Sequence, residues 1–240
     1  MRILLLADIH ANWPAMSSID EKFDACICLG DLVDYGPAPS PCIEWVKDHA
    51  QYTIRGNHDH GVAQRILSQG QSGYRYLTRV TRQLMWELLG EAELRWLGRL
   101  PVVQSVDLDG LRLYLVHGTP RDPLDEYLLP DAEQWTQRLA VVEADIVCVG
   151  HTHVPFVLEV DGKTVVNPGS VGQPRDGDPR CSYAVIEDGR VELRRCDYPV
   201  EDTVRLLEDS SIPDDAKQFA AQALRTGGRD ADRIAEEIGS

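Results

Sequence analysis

The chain has 240 residues, 43% of them hydrophobic, enough to bury a substantial core as one large domain and against a disordered chain. Its formal net charge of −15 at pH 7 argues against a nucleic-acid backbone as the main partner, because non-specific binding to phosphates requires a basic surface. No apolar run is long enough to span a bilayer; the first, Met1 to Ala7, is cut short by Asp8, so it reads as a strand and a cytoplasmic protein with no membrane partner is expected. The six cysteines (Cys26, Cys28, Cys42, Cys148, Cys181 and Cys196) form no CxxC pair, and they are expected to be reduced and structural.

In chain order, the first strand ends in Asp8-Ile9-His10. Residues two apart share one face of a strand, so Asp8 and His10 can address one ion, although a solvated strand end reads the same way. A helical stretch near Ala15 to Phe23 leads to a second apolar run, Ala25 to Leu29. That run ends in Gly30-Asp31-Leu32-Val33-Asp34, where Asp31 is either a turn residue or a carboxylate able to bridge two metals. A helix is predicted over Ser40 to His49, with Pro41 in its first turn. The short run Tyr52 to Ile54 then gives Arg55-Gly56-Asn57-His58-Asp59-His60, where an amide oxygen able to meet a metal adjoins an imidazole able to carry a proton; ordinary turn chemistry is the alternative. Alternating strands and helices imply parallel pairing, which gathers these three polar clusters at one edge of one sheet, where α/β sheets bind ligands.

Residues 61–100 carry no evident chemistry. Leu77, Val80, Leu84 and Leu88 recur at helical spacing with Trp86 and Trp96 nearby, a core stripe. Beyond Pro101, strands are predicted over Val102 to Asp107 and Leu111 to Val116, joined at Asp109-Gly110, and the second delivers His117-Gly118. After a helical patch at Ala132 to Val141, the buried strand Asp145 to Val149 delivers Gly150-His151-Thr152-His153, whose two histidines can each face a different ion. Four further strands, Val157 to Val160, Lys163 to Val166, Ser182 to Glu187 and Arg190 to Arg195, read as antiparallel hairpins forming a second sheet. Helices follow at Val200 to Glu208 and Pro213 to Arg225, then an acidic, frayed end.

Taken together, Asp8-x-His10, Gly30-Asp31-x-x-Asp34, Gly56-Asn57-His58-Asp59, His117-Gly118 and Gly150-His151-Thr152-His153 consume five of the seven histidines, in order and at strand ends. This series resembles the calcineurin-like metallophosphoesterase superfamily, and the stretch Asn167 to Arg180 resembles its small prokaryotic metallophosphatase branch. The resemblance implies an α/β fold, a four-layer α/β/β/α sandwich of two mixed β-sheets flanked by helices. A single domain over 1–240 is expected, with a helical cap-like insert near 61–100 and C-terminal helices near 200–240.

Carried over motif by motif, the resemblance implies one metal held by Asp8, His10, Asp31 and His153 and a second held by Asp31, Asn57, His117 and His151. The mixed oxygen and nitrogen shell suits Mn, Fe, Zn or Co, and two divalent ions would leave a cationic pocket in an acidic protein. The implied activity is hydrolysis of phosphate esters by a hydroxide bridging the metals. In that scheme His58 protonates the leaving oxygen and Asp34 orients His58, while Asp59 is structural and His60 and His49 have no assigned role. Tyr35 stands where serine/threonine phosphatases carry arginine, which disfavours a protein substrate; Asn57, Arg175 and Arg180 are candidates to grip phosphate. Small phosphoesters or nucleotides are the expected substrates. The alternatives are a non-catalytic scaffold of the same fold and a metal-dependent nuclease.

Overall fold

The computed structural model describes residues 1–229. Its elements in chain order are β1 (Arg2–Leu6), α1 (Trp13–Met16), β2 (Ala25–Cys28), α2 (Pro39–His49), β3 (Tyr52–Thr53) and α3 (Asn57–Ala63). Two helices, α4 (Gly73–Leu88) and α5 (Glu91–Arg99), precede β4 (Val103–Leu108), β5 (Leu111–Val116), α6 (Ala132–Leu139) and β6 (Ile146–Cys148). The chain continues through β7 (Phe156–Val160), β8 (Lys163–Asn167), β9 (Cys181–Glu187), β10 (Arg190–Cys196), α7 (Val200–Glu208) and α8 (Asp214–Thr226).

Two five-stranded sheets result, ordered β10-β9-β1-β2-β3 and β4-β5-β6-β8-β7. Both are mixed. In the first, β1 runs parallel to β2 with Leu4 opposite Cys26 and antiparallel to β9 with Ile3 opposite Ile186. In the second, β6 is parallel to both β5 and β8, while β4 and β7 are antiparallel edges.

Alternation along β1 sets the layers. Ile3, Leu5 and Ala7 pack with Leu113, Leu115, Ile146 and Cys148 between the two sheets, whereas Leu4 and Leu6 face the opposite way, toward helices. Trp135 of α6 covers the outer face of the second sheet with Val147, Val149 and Val165. Helix, sheet, sheet, helix is therefore the order of layers. Because β1 is buried on both faces beyond Arg2, its residues Ile3 to Leu6 are uniformly apolar rather than alternating.

The hairpins follow local turn chemistry. Asp109-Gly110, Asp161-Gly162 and Asp188-Gly189 all have positive φ at both positions, the backbone that matches strand twist in two-residue turns. The β9–β10 hairpin departs from expectation, since it joins the first sheet at the edge of β1 and does not extend β7 and β8. Strand periodicity fixes which residues share a face but not which strand is the neighbour. The first helix is also shorter than predicted; Ser18 Oγ bonds the Pro14 carbonyl at 2.8 Å, and such local bonds compete with continuing a helix.

In the 61–100 segment Leu77 and Leu84 are buried, as the stripe predicts, while Leu88 is exposed. Helix α8 ends at Gly227, which takes the left-handed cap conformation, and the expected acidic, frayed end lies outside the described residues. All six cysteines are free. No helix among the described residues is long and apolar enough to cross a membrane.

Candidate metal centre

The two sheets bring their carboxyl ends to one place. From the first come Asp8 and His10 after β1, Asp31 and Asp34 after β2, and Asn57 and His58 after β3; from the second come His117 after β5 and His151 and His153 after β6. The loops turn sharply to present them. Asp8, His10, Asp31, Asp34, Tyr35, His151 and His153 all have φ between 47° and 67°, although none is glycine. Left-handed backbone at a non-glycine residue costs of order 1–3 kcal/mol, and strain of this kind concentrates at functional sites. Asp and His carry it more readily than most residues.

Ligand-type atoms of Asp8, His10 and His153 lie within 4.8 Å of one another, as do those of Asp31, His117 and His151. Asp31 Oδ2 sits between the groups, 3.9 Å from His10 Nε2 and 3.1 Å from His117 Nε2. Asn57 Oδ1 is 3.2 Å from the same His117 nitrogen. The sequence-predicted ligands thus converge as two adjoining sets.

Their hydrogen bonds decide which nitrogens face inward. His10 Nδ1 is 2.9 Å from the Val33 carbonyl, His117 Nδ1 is 2.8 Å from that of Leu29, and His153 Nδ1 is 2.6 Å from that of Gln173. A carbonyl only accepts, so each Nδ1 donates, and in a neutral ring Nε2 offers a lone pair to the centre. His10 Nε2 and His153 Nε2 stand only 3.1 Å apart. With His117 Nε2 held as a lone pair, the buried Asp31 Oδ2 has no donor, its polar neighbours being that nitrogen at 3.1 Å and His10 Nε2 at 3.9 Å. Facing lone pairs beside an unsatisfied carboxylate oxygen repel unless a cation lies among them, so the donor set fits bound metal.

Electrostatics agree with the geometry. Burial pushes the Asp8 carboxyl up to about 8, and burial holds the His10 and His153 imidazoles well below their usual range. Burial likewise lowers His151 to about 3. His117 goes the other way: burial works against its charge, but Asp31 beside it raises it to about 10. A carboxyl that resists ionising, Asp8, and imidazoles that resist protonation, His10, His151 and His153, are what a buried cation would compensate, while Asp31 and His117 stabilise each other's charge.

The loop after β3 is pinned by Asp59. This fully buried carboxylate accepts from the backbone N–H groups of Asp31 at 2.8 Å, Leu32 at 2.8 Å and Gly56 at 3.0 Å. The Gly56 position admits no side chain, since a Cβ there would lie 2.0 Å from Asp31 Oδ1. One residue before Asp59, His58 donates from Nδ1 to Asp34 Oδ2 at 2.7 Å, which leaves Nε2 for other work.

A cavity of about 710 Å³ opens over these groups, with His58, Asn57, His151 and Arg175 among its lining and Tyr74, Ile66, Leu124 and Tyr127 on its walls. Arg175 Nη2 lies 3.2 Å from the Tyr35 hydroxyl, and its guanidinium sits 4.0 Å from the Tyr74 ring centroid. Arg180 does not join the site. Its guanidinium pairs with Asp178 at 2.7 Å on the surface, satisfied by a nearer charge than any in the cavity. His60 lines the cavity without a hydrogen-bond partner for its buried Nδ1.

Sequence reasoning missed Arg82. It donates to Asp34 Oδ2 from Nε at 3.1 Å and Nη2 at 2.6 Å, beneath His58. The available signal was helical: Thr78, Thr81 and Arg82 interrupt the apolar face formed by Leu77, Leu84 and Met85, and polar residues inside such a stripe need partners.

Comparison with known proteins is consistent across sequence and structure. Residues 1–188 match the model of the calcineurin-like phosphoesterase superfamily domain. An uncharacterized protein of Methanocaldococcus jannaschii is 29% identical over 238 residues, spanning 88% of this chain and 94% of its own. The phosphodiesterase YfcE of Escherichia coli is 27% identical over 207 residues, 78% of this chain and 88% of its own. Among solved structures, a metallophosphoesterase from Sphaerobacter thermophilus superposes with a TM-score of 0.80 at 32% identity, covering 95% of this chain and 99% of its own. A match of this extent to the family model, over the segment that carries every ligand-type residue of the centre, means that the chain belongs to the calcineurin-like phosphoesterase superfamily.

Proposed function

We propose that this phosphoesterase hydrolyses small phosphate esters, nucleotides included, at a dinuclear centre of divalent transition-metal ions. The observation that carries the reading is the pair of ligand groups joined through Asp31 Oδ2. Asp8, His10, Asp31 and His153 would hold one ion, and Asp31, Asn57, His117 and His151 the other. Such ions, Mn, Fe, Zn or Co, supply Lewis acidity toward a phosphoryl oxygen and lower the pKa of a nucleophilic water.

The chain's own groups act around that chemistry. Asp8 and Asp31 bring two negative charges, fewer than two divalent ions carry, so the centre attracts an anionic ester. The Asn57 amide sits where it can also donate to a phosphoryl oxygen, and Arg175 offers a cation beside Tyr35 at the same cavity. His58, oriented by Asp34, presents Nε2 to the leaving oxygen as a general acid. The cavity exceeds what a bare phosphate fills, which supports an ester with a sizeable leaving group. The Escherichia coli relative is a phosphodiesterase, which favours a diester.

The test is turnover of 4-nitrophenyl phosphate, bis(4-nitrophenyl) phosphate and a panel of nucleotides by protein stripped of metal and reloaded with Mn. Hydrolysis restored by metal and abolished by chelation is the expected result. Protein that binds two ions and turns over none of these esters would favour the scaffold instead.

A further inference from the structure

We infer that Arg82 is a positioning residue for the leaving-group acid, through which helix α4 governs how His58 is held. This rests on the reading of His58 as that acid. Asp34, fully buried, accepts three hydrogen bonds on one oxygen: His58 Nδ1 at 2.7 Å and two arms of Arg82 at 3.1 and 2.6 Å. Its other oxygen, Oδ1, has no partner. A carboxylate gripped by His58 alone would be free to turn about its Cβ–Cγ bond. The planar guanidinium fork, with two donors converging on Oδ2, removes that freedom and sets the plane in which the imidazole hydrogen bond lies.

Arg82 is itself held in place. Its Nη1 donates to the Ile66 carbonyl at 3.2 Å, and its side chain is only 8% exposed. Its route to Asp34 crosses α3 at Gly61, where an added Cβ would meet Nη1 at 2.0 Å. Gly61 follows His58 by three residues, about one helical turn, so the same face of α3 carries the acid and the notch that admits the arginine. The residue before Arg82 reinforces the grip: Thr81 Oγ1 accepts the Tyr35 backbone N–H at 3.0 Å. Adjacent residues of α4 therefore clamp adjacent residues of the Asp34-Tyr35 turn, both in left-handed conformation. On this account the 61–100 segment is a buttress of the acid as well as a wall of the cavity.

The test compares phenyl and 4-nitrophenyl esters, which differ in how much the departing oxygen needs a proton, using the metal-loaded full chain. Arg82→Ala should keep wild-type metal content and KM, lose about 10- to 100-fold in kcat on the phenyl ester, and lose less than about 3-fold on the nitrophenyl ester. Guanidinium ion at millimolar concentration should restore part of the phenyl-ester loss. The double variant His58→Gln with Arg82→Ala should be no slower than His58→Gln alone, since groups acting as a unit are not additive. Gly61→Ala, which keeps the arginine but fills its notch, should show the same selective loss and serves if Arg82→Ala does not fold. Equal loss on both esters, additive losses in the double variant, or wild-type rates for a folded Gly61→Ala would overturn the role of Arg82. If His58→Gln itself falls equally on both esters, the acid reading of His58 fails, and the two failures are told apart.

Discussion

Each polar side chain at the centre answers to a partner that its residue type alone does not name. Asp59 illustrates this: one carboxylate serves three backbone N–H groups drawn from two loops, those of Asp31, Leu32 and Gly56. Removing it would leave these donors unpaired and buried, at about 1–3 kcal/mol each. Asp59→Ala is therefore expected to destabilise the metal-free protein by about 3 kcal/mol or more in denaturant unfolding, a loss that a freely solvated turn residue would not produce. At this scale the sequence was informative where chemistry repeats at strand ends. Asp8, His10, Asp31, Asn57, His117, His151 and His153 stood out as candidates because each lies just beyond an apolar run, and the resemblance carried by their motifs supplied the ligand assignment. Arg82 was not, because its partner Asp34 lies 48 positions away and only the packing of α4 brings them together. Arg180, drawn into the expectation by its neighbour Arg175, is satisfied by Asp178 two residues away.

Elements position these side chains through loops of unusual backbone, and glycine is needed where two loops touch. Gly56 is the instance at the centre itself, since a Cβ there would lie 2.0 Å from the Asp31 carboxylate. Gly56→Ala should push Asp31 out of line. The expected outcome is loss of bound metal by elemental analysis with the fold retained by circular dichroism, and metal content equal to wild type would contradict it. Strand existence was readable from apolar runs and the three Asp-Gly turns, because local sterics decide both. The neighbour of the β9–β10 hairpin was not readable, since the side of β1 that β9 occupies and the open edge of β7 accept a strand by the same backbone hydrogen bonds.

Across the whole molecule, stability and function draw on different layers. The centre lies where the carboxyl ends of the two sheets meet, while α6 packs on the far face of the second sheet around the fully buried Trp135. Trp135→Ala should cost about 3–5 kcal/mol of unfolding free energy, as large-to-small core changes do, and leave metal content and kcat unchanged at temperatures where it stays folded. A coupled loss of metal would mean that the layers are not independent. On the proposed dinuclear account, a chain of net charge −15 would attract a phosphate ester through a local cationic centre that its bound ions supply.

The central claim is that Asp31 joins two metal sites into one centre, and metal stoichiometry tests it most directly. Elemental analysis of Mn-reconstituted protein should find two ions per chain in the wild type. In Asp31→Asn, occupancy of both should fall together, because one carboxylate oxygen faces both ligand groups. A wild-type count of one, or an Asp31→Asn protein that keeps one ion at full occupancy while losing the other, would contradict the shared ligand and with it the dinuclear account.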